Sequence, residues 1–381
     1  MKMKMKIAFG VAGSLITTLA MAQSSVTLYG IVDEGIDYTN NAGPGSAWKM
    51  QSGDALSSRW GVKGTEDLGG GLQAIFNLEN GFDAGSGALS QPDRMFGRQA
   101  FVGVTSSTFG TVTMGRQYDS VVDFVAPLTA NGNWGGYLFS HPLDNDNTDD
   151  TFRIGNSVKY LSPSFAGISF GGVYGFSNQA GAFAANRAYS FGAQYSGGPL
   201  TIAAAYMQIN NPGTNATGAV PSDDGNFAAD RQRVWAAGVN YALTEAATVG
   251  FTYSHTDLRN PLGSAYRGNF TVVPSSLKFD NYEVNAKYQF TPSLFVGVMY
   301  TFTHSKLSVA MGDSSPTWHQ AGLMADYNLS KRTDVYTQVV FQNRSGDASG
   351  TMLDNAYITG SAGQSSTNKQ VVARVALRHS F

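Results

Sequence analysis

The 381-residue chain contains no cysteine, so no disulfide framework can hold it together. Beyond residue 22 it has no apolar run of about 18 residues, which excludes a membrane-spanning helix. Charge is sparse too: 25 basic and 27 acidic residues give a formal net charge of −2, without the clustered basic face that a nucleic-acid partner selects. Hydrolytic motifs are missing. His141, His255, His304, His319 and His379 are scattered, with no H-E-x-x-H spacing for zinc, and no G-x-S-x-G elbow occurs. Gly312-Asp313-Ser314-Ser315 resembles the nucleophile block of some lipases, but it sits in a loop ahead of Pro316. The expectation is a chain that is no enzyme, takes no cofactor, has no catalytic or metal site and binds no nucleic acid.

What is present begins with Lys2, Lys4 and Lys6, an apolar run from Ile7 to Leu19, and Ala20-Met21-Ala22, the three parts of an export leader. Residues 1–22 are therefore read as a signal peptide and residues 23–381, about 359 of them, as one domain. Subtracting the three leader lysines moves the formal charge from −2 to about −5.

The mature part favours strands, with 45 glycines, 18 tyrosines and 23 phenylalanines. From Asn281 to Phe290 every apolar side chain falls on one face (Tyr282, Val284, Ala286, Tyr288, Phe290) and every polar one on the other. The same alternation sets Ala321, Leu323, Ala325, Tyr327 and Leu329 against Gln320, Asp326 and Asn328. Trp235, Ala237, Val239 and Tyr241 share a face in another strand. At the end of the chain, Val371, Ala373, Val375, Leu377 and Phe381 stand opposite Arg374, Arg378 and Ser380, and His379 falls on the apolar face near the interface. Such strands separate two solvents.

Short turns alternate with long polar connections. The turns fall at 66–70, 106–110, 162–164, 196–199, 243–245, 290–293 and 329–331; the loops cover roughly 38–54, 83–95, 119–151, 177–187, 209–230, 257–278, 305–317 and 344–368. Together they join about sixteen strands, an even number that brings both chain ends to the short-turn side. Open sheet edges in hydrocarbon would leave peptide groups unpaired at several kcal/mol each, so the sheet must close. A barrel of about sixteen strands is too wide to be filled by its own side chains and keeps a watery lumen. The fold class expected is all-β: a 16-stranded antiparallel transmembrane β-barrel, multi-pass in a bacterial outer membrane.

Four segments carry a family resemblance: Gln23 to Gly30, Trp60 to Leu72, Gly115-Arg116-Gln117-Tyr118, and Leu377-Arg378-His379-Ser380-Phe381. In these and across the mature chain the sequence resembles the trimeric Gram-negative general porins of the β-proteobacterial type. The resemblance implies three barrels per assembly, a third long loop folded into the lumen, and a terminal aromatic, Phe381, read by the outer-membrane assembly machinery. Outer-membrane lipid and lipopolysaccharide are the expected surroundings.

The third loop, about Asp119 to Thr151, is the longest insertion, and a stretch of that size is usually functional or disordered. Val121, Val122, Phe124, Val125, Leu128, Trp134, Tyr137, Leu138 and Phe139, mixed with glycines, make it too apolar for a solvated tip. These side chains are expected to pack on the inner wall. Within it, Asp144 to Asp150 alternates oxygen ligands like part of a calcium loop but lacks the EF-hand glycine and glutamate, so it reads as a solvated acidic segment.

Strand parity places Arg59 with Lys63, and Arg153 with Lys159, on lumen faces; Arg98 and Arg116 lie in strands with no clean apolar face. By resemblance, Arg59, Arg98 and Arg153 form the arginine cluster of the constriction, with Lys63 and Arg116 as neighbours and Asp119 and Asp123, at the loop root, as the nearest acids. A cationic wall in a low-dielectric cylinder concentrates anions even when the whole chain is net negative. The expected function is passive diffusion of small hydrophilic solutes and ions with a moderate anion preference. The alternative is a solute-specific channel with a saturable site for an anionic nutrient.

Overall fold

Period-two alternation becomes a closed wall in the computed structural model, which describes residues 25–91, 93–310 and 312–381. The expected leader, residues 1–22, lies outside the described residues. In chain order the strands are β1 (Ser25–Thr39), β2 (Ala47–Ser52 and Arg59–Gly69), β3 (Leu72–Gly81), β4 (Gln99–Ser106), β5 (Gly110–Gln117), β6 (Ile154–Leu161), β7 (Ile168–Gly175) and β8 (Ala188–Gly197). They continue as β9 (Leu200–Asn210), β10 (Arg231–Ala242), β11 (Ala247–Arg259), β12 (Ser276–Thr291), β13 (Leu294–Val309), β14 (Pro316–Asn328), β15 (Thr333–Gly346) and β16 (Lys369–Ser380). Each pairs antiparallel with its chain neighbour, and β1 closes the sheet by pairing Ile31–Thr39 with Ser380–Val372 of β16. No edge is left to be satisfied by lipid. The 16-stranded antiparallel barrel read from the sequence is the fold.

The two-faced pattern holds along the wall. On β12, Asn281, Glu283 and Asn285 are buried while Tyr282, Val284, Tyr288 and Phe290 are exposed to the outside. Tyr241, Tyr327 and Phe381 are likewise exposed, as the aromatic bands of such a wall require. His379 is exposed at its end of β16, where Nδ1 lies 2.8 Å from Thr333 Oγ1.

One expected loop is corrected. The stretch 38–54 is not a long external connection, because β1 runs to Thr39 and β2 begins at Ala47 and pairs back to it. The irregular segment lies in the middle of β2 instead: residues 53–58 leave the wall and turn inward, and the Asp33 carboxylate accepts the backbone N–H groups of Ala55 (3.0 Å) and Leu56 (2.8 Å).

Wall height is uneven. β4, β5, β6 and β7 have 8 residues each, whereas β12 and β13 have 16. At about 3.4 Å per residue and a tilt near 40°, an eight-residue strand rises only about 21 Å, less than an apolar band of about 25 Å.

Candidate functional site: a constricted lumen

The third loop fills much of the barrel. After β5 it makes five short helical turns, from Val121–Val125 to Pro142–Asp144, and its apolar side chains point at the inner wall. The wall receives them at glycines. A Cβ built on Gly192, Gly238, Gly297 or Gly322 would meet Phe124, Leu128, Trp134 or Phe139, respectively, at 3.2 Å or less. Absence of a side chain at these four points is what lets large side chains of the loop seat directly on backbone. The expected packing of the loop on the inner wall is therefore how this lumen is built.

Polar anchors complete the seat. Wall amides donate to loop carbonyls: Gln338 to Gly135 (2.6 Å), Gln320 to Ser140 (3.1 Å), Gln232 to Asn145 (3.1 Å) and Asn285 to Leu128 (3.1 Å). The inward segment of β2 contributes as well, since the Tyr137 N–H donates to the Asp54 carbonyl at 2.7 Å. Without such partners these buried carbonyls would each carry a desolvation penalty of about 1–3 kcal/mol.

The acidic run Asp144 to Asp150 is not solvated, contrary to expectation. Asp144, Asn145, Asp146 and Asn147 are fully buried. The Asp144 carboxylate accepts the N–H of Asp149 (3.0 Å) and both the N–H (3.2 Å) and hydroxyl (2.5 Å) of Thr151. Asp146 stands 2.7 Å from His141 Nδ1, whose Nε2 lies 3.3 Å from Glu283 on β12. Burial opposes a charge on His141, but the two carboxylates outweigh it and raise its pKa to about 10. Asp144 is held in its neutral form: burial, then the neighbouring Asp146 charge, raise its pKa to about 8. The oxygens of this run satisfy the loop's own donors. Among the described residues no group of three or more His, Cys, Asp or Glu side chains is arranged to hold a metal ion.

Between loop and wall remains a cavity of 660 Å³, bordered by Arg59, Arg98 and Arg153 on one side and by Val122, Ala126, Asn131 and Gly132 on the other. Arg98 is buried; its Nε lies 2.9 Å from Glu79, and its Nη2 donates to the Tyr118 hydroxyl (2.6 Å) and lies 3.3 Å from Asp150. Arg153 pairs with Asp150 at 2.5 Å and lies 5.2 Å from the centre of the Tyr118 ring. Arg59 is held more loosely, 3.7 Å from Glu79. Lys63 shares the face of Arg59 but lies four residues further along β2, exposed and outside the border of the cavity, over the Tyr29 ring at 5.1 Å, and the Tyr29 hydroxyl donates to Glu79 at 2.8 Å. The structure thus brings Arg59, Arg98 and Arg153 together, while Lys63 stands off along the same strand face.

Arg116 is turned away. Ordinary alternation along β5 sets Thr113 and Gln117 inward, Gln117 beside Ser157, and Met114 and Arg116 outward; the extra residue at this place lies in the partner strand β6, between Ile154 and Ser157. The Arg116 guanidinium instead grips Asp224 with two bonds of 2.7 and 2.8 Å, and its Nε donates to the Gly97 carbonyl.

Asp119 and Asp123 do not face the arginines either. One Asp119 oxygen accepts the N–H groups of Val121 and Val122, starting the first helical turn, and the other accepts Asn147. Burial raises its pKa to about 6. Asp123 pairs with Lys159. The acids of the cluster are Glu79 and Asp150. Glu79 is findable from sequence, because Asn77 and Glu79 alternate with Phe76 and Leu78 along β3. Asp150 carries no local signal, since only the returning limb of the loop brings it to this wall.

At the closing seam, Phe381 exchanges two backbone bonds with Gly30 (3.0 and 3.2 Å), and its ring lies where a Gly30 side chain would be.

Comparison with known proteins agrees with this architecture. A family model described as Gram-negative porin matches residues 8–347. An outer membrane porin protein of Bordetella pertussis is 32% identical over 354 residues, covering 83% of this chain and 88% of its own length. Outer membrane porin protein 32 of Delftia acidovorans is 30% identical over 382 residues, 95% of each. Among solved structures, an anion-selective porin from Comamonas acidovorans aligns with a TM-score of 0.72 at 26% identity, over 94% of this chain and all 100% of its own. The trimer form of OmpT from Vibrio cholerae aligns with a TM-score of 0.65 at 16% identity, a likeness of fold alone, over 94% of this chain and 99% of its own.

Proposed function

This chain belongs to the Gram-negative porin family, and from that premise we propose that its barrel is a general diffusion pore with a moderate preference for anions. It is an outer-membrane channel and not an enzyme. The observation that carries the preference is the clustering of Arg59, Arg98 and Arg153 on one wall of the opening with only two carboxylates, Glu79 and Asp150, paired to them, while Asp54, Asp83 and Asp149 border the cavity without pairing to these arginines. In a narrow low-dielectric passage the local field of such a cluster outweighs the net negative charge of the chain. Arginine keeps its charge at every physiological pH and presents a fork to carboxylates and phosphates. Arg59, the least engaged of the three, is the one best placed to meet a passing anion.

Reversal potentials across a planar bilayer under a salt gradient test the reading. Anion preference is expected in dilute salt and should fade as the Debye length contracts from about 10 Å at 0.1 M to about 3 Å at 1 M. Arg59→Ser with Arg153→Ser should shift the preference towards cations, whereas Arg116→Ser should leave it unchanged. A cation preference of the unmodified channel in dilute salt, persisting in the double variant, refutes the charge assignment. Liposome swelling with neutral sugars should give a smooth size cut-off; a saturable preference for one anion would favour a solute-specific channel.

The low wall of β4 to β7 supports a homotrimer, because a neighbouring barrel would shield what eight-residue strands leave short. Single-channel closures in three equal steps are the expected signature.

A further inference from the structure

The cavity beside the arginines has two unlike walls. Opposite Arg59, Arg98 and Arg153 the third loop turns Val122, Ala126 and Pro127 towards it, while Val121, Phe124 and Val125 from the same turns are buried against the barrel. Tyr137 and Tyr266 border the same space. Tyr137 is seated on Gly360, where a Cβ would meet its ring at 2.7 Å. Tyr266 stands in the turn between two short strands, Gly263–Ser264 and Gly268–Asn269, and its hydroxyl lies 2.8 Å from Thr151 Oγ1. The two ring centres are 6.3 Å apart, and Tyr357 continues the file 6.4 Å beyond Tyr266, with the Arg267 guanidinium 5.2 Å from the centre of the Tyr357 ring. An aromatic file therefore leads from one cation towards the arginine cluster.

The remaining acids on the border are engaged elsewhere. Asp54 pairs with Arg374 at 2.6 Å, and Asp83 accepts the N–H and the hydroxyl of Ser86 at 2.6 and 2.7 Å. Burial, reinforced by the neighbouring Asp144 and Asp150, pushes Asp149 towards its neutral form. The Arg59 side chain is 19% exposed and no closer than 3.7 Å to Glu79, and the Nε of Arg153 is buried without an acceptor. At 660 Å³, apolar on the loop side and with a few convergent donors on the other, the cavity lies within the range of about 300–1,000 Å³ that suits small organic molecules. Resting on the anion preference proposed for the pore, the site takes a more definite solute: we propose that it is a subsite for aromatic carboxylates, the carboxylate on Arg59 and Arg153 and the ring on the apolar loop face beside Tyr137 and Tyr266. A polyhydroxylated anion satisfies the charges but leaves hydroxyls unpaired against Val122, Ala126 and Pro127. A neutral ring covers the loop face but leaves the guanidinium forks unused. A planar ring that carries a carboxylate uses both walls.

Block of the chloride current through the full-length protein in a planar bilayer tests the subsite, with benzoate, gluconate and benzamide as probes. Benzoate should lower the conductance along a saturating curve. Benzamide lacks the charge-assisted bonds and should need a concentration higher by about tenfold or more for half block. Gluconate keeps the charge but lacks the ring and should need about two- to tenfold more than benzoate. Tyr266→Leu and Val122→Ser should each raise the half-blocking concentration of benzoate about two- to tenfold. Neither removes a charge, so the half-blocking concentration of gluconate and the chloride reversal potential should stay as they are. Heat-modifiable gel mobility certifies the barrel of each variant. Equal half-blocking concentrations for benzoate and either comparison solute, or benzoate block untouched in either variant, overturns the proposal. An anion preference without benzoate block sinks this subsite alone, whereas a cation preference of the unmodified channel sinks the charge assignment and the subsite with it.

Discussion

The seat of Trp134 on Gly297 yields a prediction whose size follows from geometry. An alanine Cβ at Gly297 would stand 2.7 Å from two atoms of the indole and 2.8 Å from a third. Carbon atoms prefer about 3.5–4.0 Å, so the ring must retreat by about 1 Å. Overpacking of that kind costs about 1–3 kcal/mol, which multiplies the detached population of the loop by about 5 to 150. Trp134→Ala removes the ring altogether and, at a site only 6% exposed, costs about 3–5 kcal/mol. In that background Gly297→Ala has nothing left to strike, so its cost should vanish and the pair should couple by about 1–3 kcal/mol.

Because the chain has no cysteine, Ser140→Cys provides one buried reporter on the loop, with the native residue 1% exposed. When reclosing is fast, its labelling rate by a water-soluble maleimide follows the detached population. Gly297→Ala should raise that rate at least fivefold beside an intact Trp134 and leave it nearly unchanged in the Trp134→Ala background. Equal rates with and without Gly297→Ala when Trp134 is intact, or costs that simply add in the double variant, would refute the idea that glycine sockets hold the constriction in place.

Three further outcomes are expected. Glu79→Gln with Asp150→Asn removes both carboxylates paired to the arginine cluster and should strengthen anion preference, more at 0.1 M than at 1 M salt; unchanged reversal potentials would contradict the assignment of selectivity to this cluster. The His141 pKa is raised from an ordinary 6.5 to about 10 and the Asp144 pKa from 3.8 to about 8, so each proton is held more tightly with the loop seated. The stabilisation from His141 is complete below pH 6.5 and lost as pH rises through 10; that from Asp144 is complete below about 4 and lost through 8. Channel closures at fixed voltage should therefore become more frequent from pH 7 to 10, and His141→Gln should flatten the rise above pH 8; a flat profile in the unmodified channel would disprove the linkage. Deleting Phe381 should lower the yield of assembled barrel several-fold while leaving the conductance of each inserted pore unchanged, measured by heat-modifiable gel mobility alongside single-channel recording.

Much of the wall is legible in the order of residues, whereas the lumen is legible only in part. Parity puts Asn281, Glu283 and Asn285 inside and Tyr282 and Val284 outside because alternation is a property of two consecutive residues and needs no distant partner. It also brings out Arg59 and Lys63, which share a face of one regular strand, whereas an extra residue between Ile154 and Ser157 separates Arg153 from Lys159 and puts Ile154 inside. Arg116 shares the outward face of β5 with Val112 and Met114, a face too short and too weakly apolar to read from sequence, and its partner Asp224 comes from a distant loop. The acids are harder still. Asp119 is closest in sequence yet serves the first helical turn, while Asp150, thirty-one positions later, reaches the arginines because the loop returns to the same wall.

By itself, then, the order of residues determined the strand count, the closure and the two-faced wall, since side-chain periodicity and turn chemistry are local and water and lipid sort the faces. Only the tertiary structure decided how the lumen narrows: which glycines receive the loop, that Asp144 to Asn147 are buried rather than wet, that residues 53–58 fold inward, and which carboxylates balance Arg59, Arg98 and Arg153. Those outcomes depend on atoms from distant segments meeting within a few ångströms, a distance that no pattern along the chain encodes.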